Sequence, residues 1–135
     1  MKRIHLLLLV GLIFFVSNCE KVSPDAVELS VQFSWDGFLL CGWGNPGIQI
    51  DNIPERTKFF KVNMYDHEFS YNHGTIEVPY TGSGNIEVNK YKKMMAPCPP
   101  GGGSPGRYEI TVKAVDEEDV VIGIGSKERL FPEKE

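Results

Sequence analysis

The sequence has no cluster of basic residues. Its 14 lysines and arginines are interspersed with 18 aspartates and glutamates, and its formal net charge is −4. Proteins that bind nucleic acid carry a basic patch, and proteins that bind anionic bilayers by charge carry a polybasic segment. The composition therefore predicts no nucleic-acid partner, and we expect something other than charge to hold the chain to any membrane.

The sequence also lacks the motifs of common hydrolases. No serine lies in a nucleophile-elbow context, and neither of the two cysteines after residue 19 has an evident histidine base nearby in sequence. Asp66, His67, Glu68 and His73 offer the ligand types of a catalytic zinc site, but their spacing matches no recognised metal motif. The sequence predicts a protein that is not an enzyme and holds no metal or cofactor.

No apolar run is long enough to span a bilayer by itself. The run LLLLVGLIFFV (6–16) follows the basic residues MKR and has the length of a signal-peptide core. Ser17 and Asn18 then precede Cys19, an arrangement that resembles the lipobox of bacterial lipoproteins, in which the cysteine is lipidated. An ordinary cleaved signal or a signal anchor is the alternative.

This reading divides the chain into three parts. We expect a lipoprotein signal peptide at 1–18, a lipidated Cys19 with a tether to residue 26, and a single domain at 27–135. The predicted location is the bacterial cell envelope, with the protein anchored to a membrane on the periplasmic side or at the cell surface.

Cysteine is scarce, with three residues in the chain. If Cys19 carries lipid, Cys41 and Cys98 remain as one pair that could form a disulfide in an oxidising compartment. Two buried free thiols are the alternative.

Helical periodicity is absent, and apolar residues instead recur at every second position. The clearest examples are ELSVQFSW (28–35), KFFKVNMY (58–65) and RYEITVKAV (107–115), in which Tyr108, Ile110, Val112 and Ala114 share a face. Strands with one polar face are typical of antiparallel sheets, and turn-rich spacers between them favour a sandwich. The sequence predicts an all-β fold.

Polar residues occur at the end of one of these predicted strands and at the start of another, next to loops. Asp66 directly follows strand 58–65, and Arg107 and Tyr108 begin a strand that emerges from the Pro/Gly loop 96–106. If the two strands are antiparallel neighbours, these residues and His73 lie at one edge of a sheet.

These motifs resemble those of the phosphatidylethanolamine-binding protein family, in its bacterial and archaeal Raf-kinase-inhibitor-like branch. YDHE (65–68) is similar to the family's Asp-Pro-Asp-x-Pro element, His73 to its His-Trp, and APCPP (96–100) with PGRY (105–108) to its Gly-Pro-x-Pro-Pro and His-Arg-Tyr element. NPGI (45–48) and IPERTK (53–58) resemble upstream motifs. The resemblance covers roughly residues 29–116.

The chain departs from the family pattern at several positions. Gly106 stands where the family has the histidine before Arg-Tyr, and Gly74 stands where it has the tryptophan after the first histidine. His67 and Glu68 replace a proline and an aspartate. The segment after residue 116 is short and offers no candidate for the C-terminal helix of many members.

The resemblance implies an antiparallel Greek-key β-sandwich with a small pocket for a phosphate-like head group. Carried over by position, the pocket residues are Asp66, His73, Pro99, Pro100 and Tyr108, and the accessory candidates are His67 and Arg107. Asp66 is expected to orient His73 and raise its pKa. A protein-interaction or inhibitor domain with a vestigial pocket is the alternative function. Without the resemblance, an Asx turn at Asp66 and an exposed turn at His73 are simpler interpretations.

Overall fold

The structure, a computed structural model, describes residues 19–98 and 106–133. Eight strands form two sheets, and the described residues contain no helix. The strands are β1 (Lys21–Glu28), β2 (Ser30–Ser34), β3 (Gly47–Asp51), β4 (Phe59–Asp66), β5 (Tyr71–Pro79), β6 (Asn85–Ile86), β7 (Gly106–Val115) and β8 (Val120–Phe131). The larger sheet has the order β1-β8-β7-β4-β5, and the smaller has the order β2-β3-β6.

The two sheets pack face to face around one core. Alternate residues of strands such as β2, β3, β4 and β7 point inward, and the inward residues of both sheets form a single buried cluster. The cluster includes Val31, Phe33, Ile48, Ile50, Ile86, Phe60, Val62, Met64, Ile76, Ile110 and Val112. The predicted inward set of β7 is buried as expected, and the all-β sandwich is confirmed.

Strands β4 and β7 are antiparallel neighbours, which is the condition on which the predicted grouping of site residues rested. Their register places Asp66, the last residue of β4, opposite Tyr108, the third residue of β7. The end of β4 and the start of β7 therefore lie at the same edge of the larger sheet.

The N-terminal segment differs from the expectation. Residues 21–28 form β1, which pairs in parallel with β8, so the larger sheet is mixed and the tether predicted for 19–26 is wrong. Val22 and Val27 are exposed on this edge strand. Because β1 is held by backbone hydrogen bonds and buries little apolar surface, its sequence shows no alternation by which it could be recognised.

The predicted signal peptide at 1–18 lies outside the described residues. Cys19 is exposed and has a free thiol, and Glu20 forms an ion pair with Lys113 of β7. Within residues 19–98 and 106–133, no helix has the length and apolar character needed to cross a membrane.

Candidate functional site

A pocket of about 320 Å³ opens at the edge of the larger sheet where β4 ends and β7 begins. Strands β4, β5 and β7 and the segment 95–98 supply its walls. Its lining residues are Asp66, Phe69, Tyr71, His73, Met95, Ala96, Cys98 and Tyr108. The structure thus brings together three of the five pocket residues that the sequence predicted, namely Asp66, His73 and Tyr108.

Asp66 is fixed by the turn that follows β4. Its Oδ1 accepts hydrogen bonds from the backbone N–H groups of Glu68 (2.8 Å) and Phe69 (3.2 Å), which is the geometry of an Asx turn. The side chain is nevertheless buried, with 2% of the residue exposed. The turn and pocket interpretations of Asp66 are therefore compatible, because the turn holds the carboxylate in place beside the pocket.

His73 enters the pocket because of a β-bulge in β5. Met64 of β4 pairs with Gly74 and Tyr65 pairs with Asn72, which leaves His73 without an opposing residue. The extra residue shifts the inward alternation by one position, so that both His73 and Ile76 point inward. His73 is only 8% exposed, and the exposed-turn interpretation is wrong.

The hydrogen bond of His73 determines which ring nitrogen is available to a ligand. Nδ1 lies 2.9 Å from the carbonyl oxygen of Met95, and since a carbonyl only accepts, Nδ1 is the donor. The neutral ring therefore leaves Nε2 as an acceptor, and the protonated ring offers an N–H there.

The net effect on the His73 pKa is opposite to the expectation from sequence. Burial lowers the pKa of His73 below its ordinary value of 6.5, and this effect outweighs the Met95 carbonyl and the Asp66 carboxylate, which both raise it. Asp66 contributes in the expected direction, but desolvation is the larger effect. The imidazole is accordingly neutral at pH 7.

Tyr108 forms the floor of the pocket. Burial, with the neighbouring Asp66 carboxylate, raises the pKa of Tyr108 to about 12, so the phenol keeps its proton at neutral pH. Its ring packs edge-on against His73, with centroids 5.4 Å apart, and against Trp35 at 5.6 Å. These contacts fix the ring between the pocket and the core.

The Tyr108 ring also occupies the space beside Gly106. A Cβ atom at position 106 would lie 2.7 Å from Cε2 of Tyr108 and 3.1 Å from its hydroxyl oxygen. A histidine at this position, as in the family that the sequence resembles, is incompatible with the observed ring.

The outer wall of the pocket is held by the Cys41–Cys98 disulfide, which joins residues 57 positions apart. Beside it, the N–H of Cys41 donates to the Pro97 carbonyl, and the N–H of Ala96 donates to the Gly42 carbonyl. The N–H of Met95 in turn donates to the His73 carbonyl (2.8 Å). The disulfide and this ladder connect the wall to β5.

The two accessory candidates do not reach the pocket. Arg107 lies on the outer face of the larger sheet, because β7 alternates and Tyr108 takes the inward position, and His67 lies on the same face beside Glu109. Nε2 of His67 lies 2.9 Å from Glu109, and Arg107 faces Glu128. The proposed accessory role of His67 and Arg107 is therefore wrong. Pro99 and Pro100 lie outside the described residues.

Sequence reasoning missed the apolar side of the pocket. Phe69 and Tyr71 are 65% and 46% exposed, and the Tyr71 hydroxyl lies 3.8 Å from the Met95 sulfur. Two aromatic residues within the otherwise polar run HEFSYNH (67–73) were the available signal, since exposed aromatic residues near a turn often mark binding surfaces.

A larger concavity of about 360 Å³ lies at the opposite end of the sheet, around Asp116. The Asp116 carboxylate accepts from the N–H groups of Glu118 and Val120 and pairs with Arg56 at 3.4 Å. The carboxylate is thus engaged in closing the β7–β8 turn, and we assign this concavity a structural role.

Comparison of the structure with solved structures identifies its fold. YbcL of Escherichia coli, described as a member of the mammalian phosphatidylethanolamine-binding protein family, superimposes with a TM-score of 0.56 at 19% identity, over 80% of this chain and 100% of YbcL. A phosphatidylethanolamine-binding protein homologue from Chlamydia trachomatis gives a TM-score of 0.55 at 13% identity, over 82% and 99% of the two chains. The chain has the phosphatidylethanolamine-binding protein fold. No family model and no curated protein matches its sequence.

Proposed function

We propose that the chain is a non-enzymatic binding protein that takes a small anionic, phosphate-like head group into the pocket at Asp66, His73 and Tyr108. The observation that carries this proposal is the bulge in β5, which turns the His73 ring into a pocket where Nε2 is the ring nitrogen that makes no hydrogen bond to the described residues. A bulge that re-aims one polar side chain into a cavity is a feature typical of functional sites.

Binding of the anion is coupled to uptake of a proton by His73. At neutral pH the described lining residues carry one charge, that of Asp66, and no lysine or arginine. An anion therefore binds when the imidazole is protonated, so that Nε2 donates to the ligand and offsets Asp66. Among the described residues, the rings of Tyr71 and Tyr108 pack against the imidazole, and the Asp66 carboxylate acts on it electrostatically. Affinity then rises as the pH falls.

The rim of the pocket favours a ligand that also has an apolar part. Phe69, Tyr71 and Met95 line the entrance, and the first two are largely exposed. An alkyl group attached to the phosphate would cover these side chains and gain free energy in proportion to the apolar area removed from water. An alkyl phosphate should therefore bind more tightly than inorganic phosphate.

Two potential nucleophiles among the described lining residues of the pocket, Tyr108 and Cys98, are unsuited to covalent catalysis. A tyrosine with a pKa of about 12 is a weak nucleophile at neutral pH, and Cys98 is bonded to Cys41. These features support binding without chemistry.

Lipidation of Cys19 would place the pocket far from the anchoring membrane. Only Glu20 separates Cys19 from β1, in which Lys21 pairs with Val120 at the start of β8. Tyr108 pairs with Arg129 near the end of β8, which is about 30 Å away along the strand. We propose that the chain is anchored in the bacterial cell envelope and that its ligand is soluble or on another surface, and not a lipid of the same leaflet.

The test uses the full chain in phosphatidylcholine nanodiscs, followed by NMR. Butyl phosphate and inorganic phosphate are titrated at pH 5.5 and pH 7.5, first against the wild type and then against His73→Gln. His67→Gln, on the outer face, is the matched control. A second nanodisc contains phosphatidic acid, which presents a phosphate head group within the anchoring bilayer itself.

We expect saturable changes in the NMR chemical shifts of Phe69, His73 and Tyr108 when either phosphate is added. These changes should be larger at pH 5.5 than at pH 7.5, and butyl phosphate should bind more tightly than inorganic phosphate. They should be absent in His73→Gln and retained in His67→Gln. Shifts at the pocket caused by phosphatidic acid in the same disc would contradict the proposed orientation. No saturable shift with either phosphate would contradict the anion pocket itself.

A docking surface for another protein is the second candidate, supported by a separate observation. Leu39, Leu40 and Trp43 are 63%, 52% and 56% exposed. Trp43 forms an isolated antiparallel β-bridge with Met95 of the pocket wall. Failure of both phosphates to bind, together with loss of cross-linking to envelope proteins in Trp43→Ser, would favour this function over the first.

A further inference from the structure

The outer face of the larger sheet carries a compact group of three potential metal ligands. His67 follows the end of β4, Glu109 is in β7 and Glu128 is in β8. The register of the sheet brings them together, because Glu109 pairs directly with Glu128 and the N–H of His67 donates to the carbonyl of Arg107. This group is on the opposite face of the sheet from the pocket.

The ligand atoms lie close to the spacing that a bound transition-metal ion requires. Nε2 of His67 lies 2.9 Å from Oε2 of Glu109 and 3.4 Å from Oε1 of Glu128, and the three atoms lie within 4.8 Å of one another. Two ligand atoms that are each about 2.1 Å from a tetrahedral zinc ion are roughly 3.4 Å apart. Small side-chain rotations would therefore suffice to close the site around an ion.

Neighbouring groups orient the ligands so that one atom of each faces the others, and Nε2 of His67 is hydrogen-bonded to Oε2 of Glu109 until an ion takes its place. The Thr111 hydroxyl donates to Oε1 of Glu109 (3.0 Å), so that Oε2 faces His67. Arg107 lies 4.0 Å from Oε2 of Glu128, and Oε1 of the same carboxylate faces His67. The Tyr65 ring packs edge-on against the imidazole at 5.1 Å. Such surrounding contacts are a regular feature of metal sites in proteins.

Electrostatics also favours a cation at this point. Two carboxylates directly opposite each other on adjacent strands repel, and such pairs destabilise a sheet. A divalent ion between Glu109 and Glu128 would convert this repulsion into attraction. The three side chains are 26–46% exposed, so an ion can enter from solvent and water can complete its coordination.

We propose that His67, Glu109 and Glu128 bind one divalent transition-metal ion with mixed nitrogen and oxygen ligands, for which Zn²⁺ is the probe. This set suits Zn²⁺, Cu²⁺ or Ni²⁺ better than Ca²⁺ or Mg²⁺, which prefer oxygen ligands throughout. The site is independent of the pocket and of its ligand.

The experiment is a calorimetric titration of the full chain in detergent with Zn²⁺ at pH 7.5. It is repeated with His67→Gln and Glu128→Gln, with Glu77→Gln as the matched control. Glu77 is an exposed glutamate of β5 in the same sheet and outside the group. Because the substituted side chains are partly exposed and polar, the variants should keep the fold, which backbone NMR shifts verify.

We expect one Zn²⁺ per chain in the wild type and in Glu77→Gln, with affinity reduced about tenfold or more in each of the other two variants. Co²⁺ should give the visible absorption bands of a low-coordinate nitrogen and oxygen site in the wild type and not in His67→Gln. Absence of saturable binding, or Zn²⁺ binding that persists unchanged in His67→Gln and Glu128→Gln, would overturn the proposal.

Discussion

The Tyr108 ring lies against Gly106, two residues earlier on the same face of β7, so closely that a Cβ at position 106 would be 2.7 Å from Cε2. This relationship accounts for the glycine at position 106, where the family that the sequence resembles has a histidine. The absence of a side chain at Gly106 allows the ring to lie over the strand. Tyr108 then packs against both His73 and the core.

Gly106→Ala should destabilise the protein by about 1–3 kcal/mol, because the Tyr108 ring would have to move from a packed position. Urea denaturation of the wild type and the variant measures the difference. Gly42→Ala is the control, since a Cβ there meets nothing closer than 3.8 Å. Equal stability of Gly106→Ala and the wild type would contradict the described position of the ring.

Gly74→Ala should disrupt the bulge that turns His73 inward. Gly74 has φ of +115°, and a Cβ there would meet the Lys93 carbonyl oxygen at 3.0 Å. Gly82→Ala separates backbone strain from steric contact, because Gly82 has φ of +91° but open space around it. We expect both variants to lose about 1 kcal/mol from backbone strain and Gly74→Ala to lose more. Comparable losses would show that the bulge tolerates a side chain.

Stability should decrease in mildly acidic solution because of His73. Its pKa is lower in the folded chain than the ordinary value of 6.5, so the unfolded chain binds more protons between the two values. The contribution of neutral His73 to the free energy of unfolding is complete above pH 6.5, and it is lost as the pH falls through the pKa of His73 in the folded chain. Urea denaturation between pH 7.5 and pH 4.5 measures this loss. His73→Gln should remove this part of the pH dependence, whereas His67→Gln should retain it; an unchanged profile in His73→Gln would refute the assignment.

Loss of the Cys41–Cys98 disulfide should cost about 4 kcal/mol, as the chain-entropy relation gives for a closed loop of this length. Thermal unfolding with and without reductant measures the effect. The double variant Cys41→Ser, Cys98→Ser should match the reduced wild type and be insensitive to reductant. Weaker butyl phosphate binding should accompany the loss, since Cys98 lines the pocket. If ligand affinity is unchanged on reduction, the disulfide does not position the wall.

The sequence was sufficient to predict the sandwich and most of its core. Strands such as β7 are long, bury one face and alternate strictly between apolar and polar residues. This period of two can therefore be recognised from the sequence alone. The sequence did not establish that β4 and β7 are neighbours, but under that assumption it placed Asp66 near Tyr108, and the observed register agrees.

Other features depend on contacts that leave little trace in sequence. Strand β1 is exposed on both faces, and β3, which the alternation did not reveal, pairs with β2 through only five residues. If the residues of β5 alternated regularly from Ile76, the His73 side chain would point outward. The bulge places it on the inward side instead. The net pKa shift of His73 likewise depends on burial, which sequence does not give.

The most direct test of the account is the NMR titration of the His73 imidazole in the full chain, with and without butyl phosphate. The account predicts a pKa below 6.5 for the free protein and an upward shift when the ligand is bound, because the anion stabilises the protonated ring. The His67 imidazole should not respond. A His73 pKa that is the same with and without saturating butyl phosphate would contradict the account.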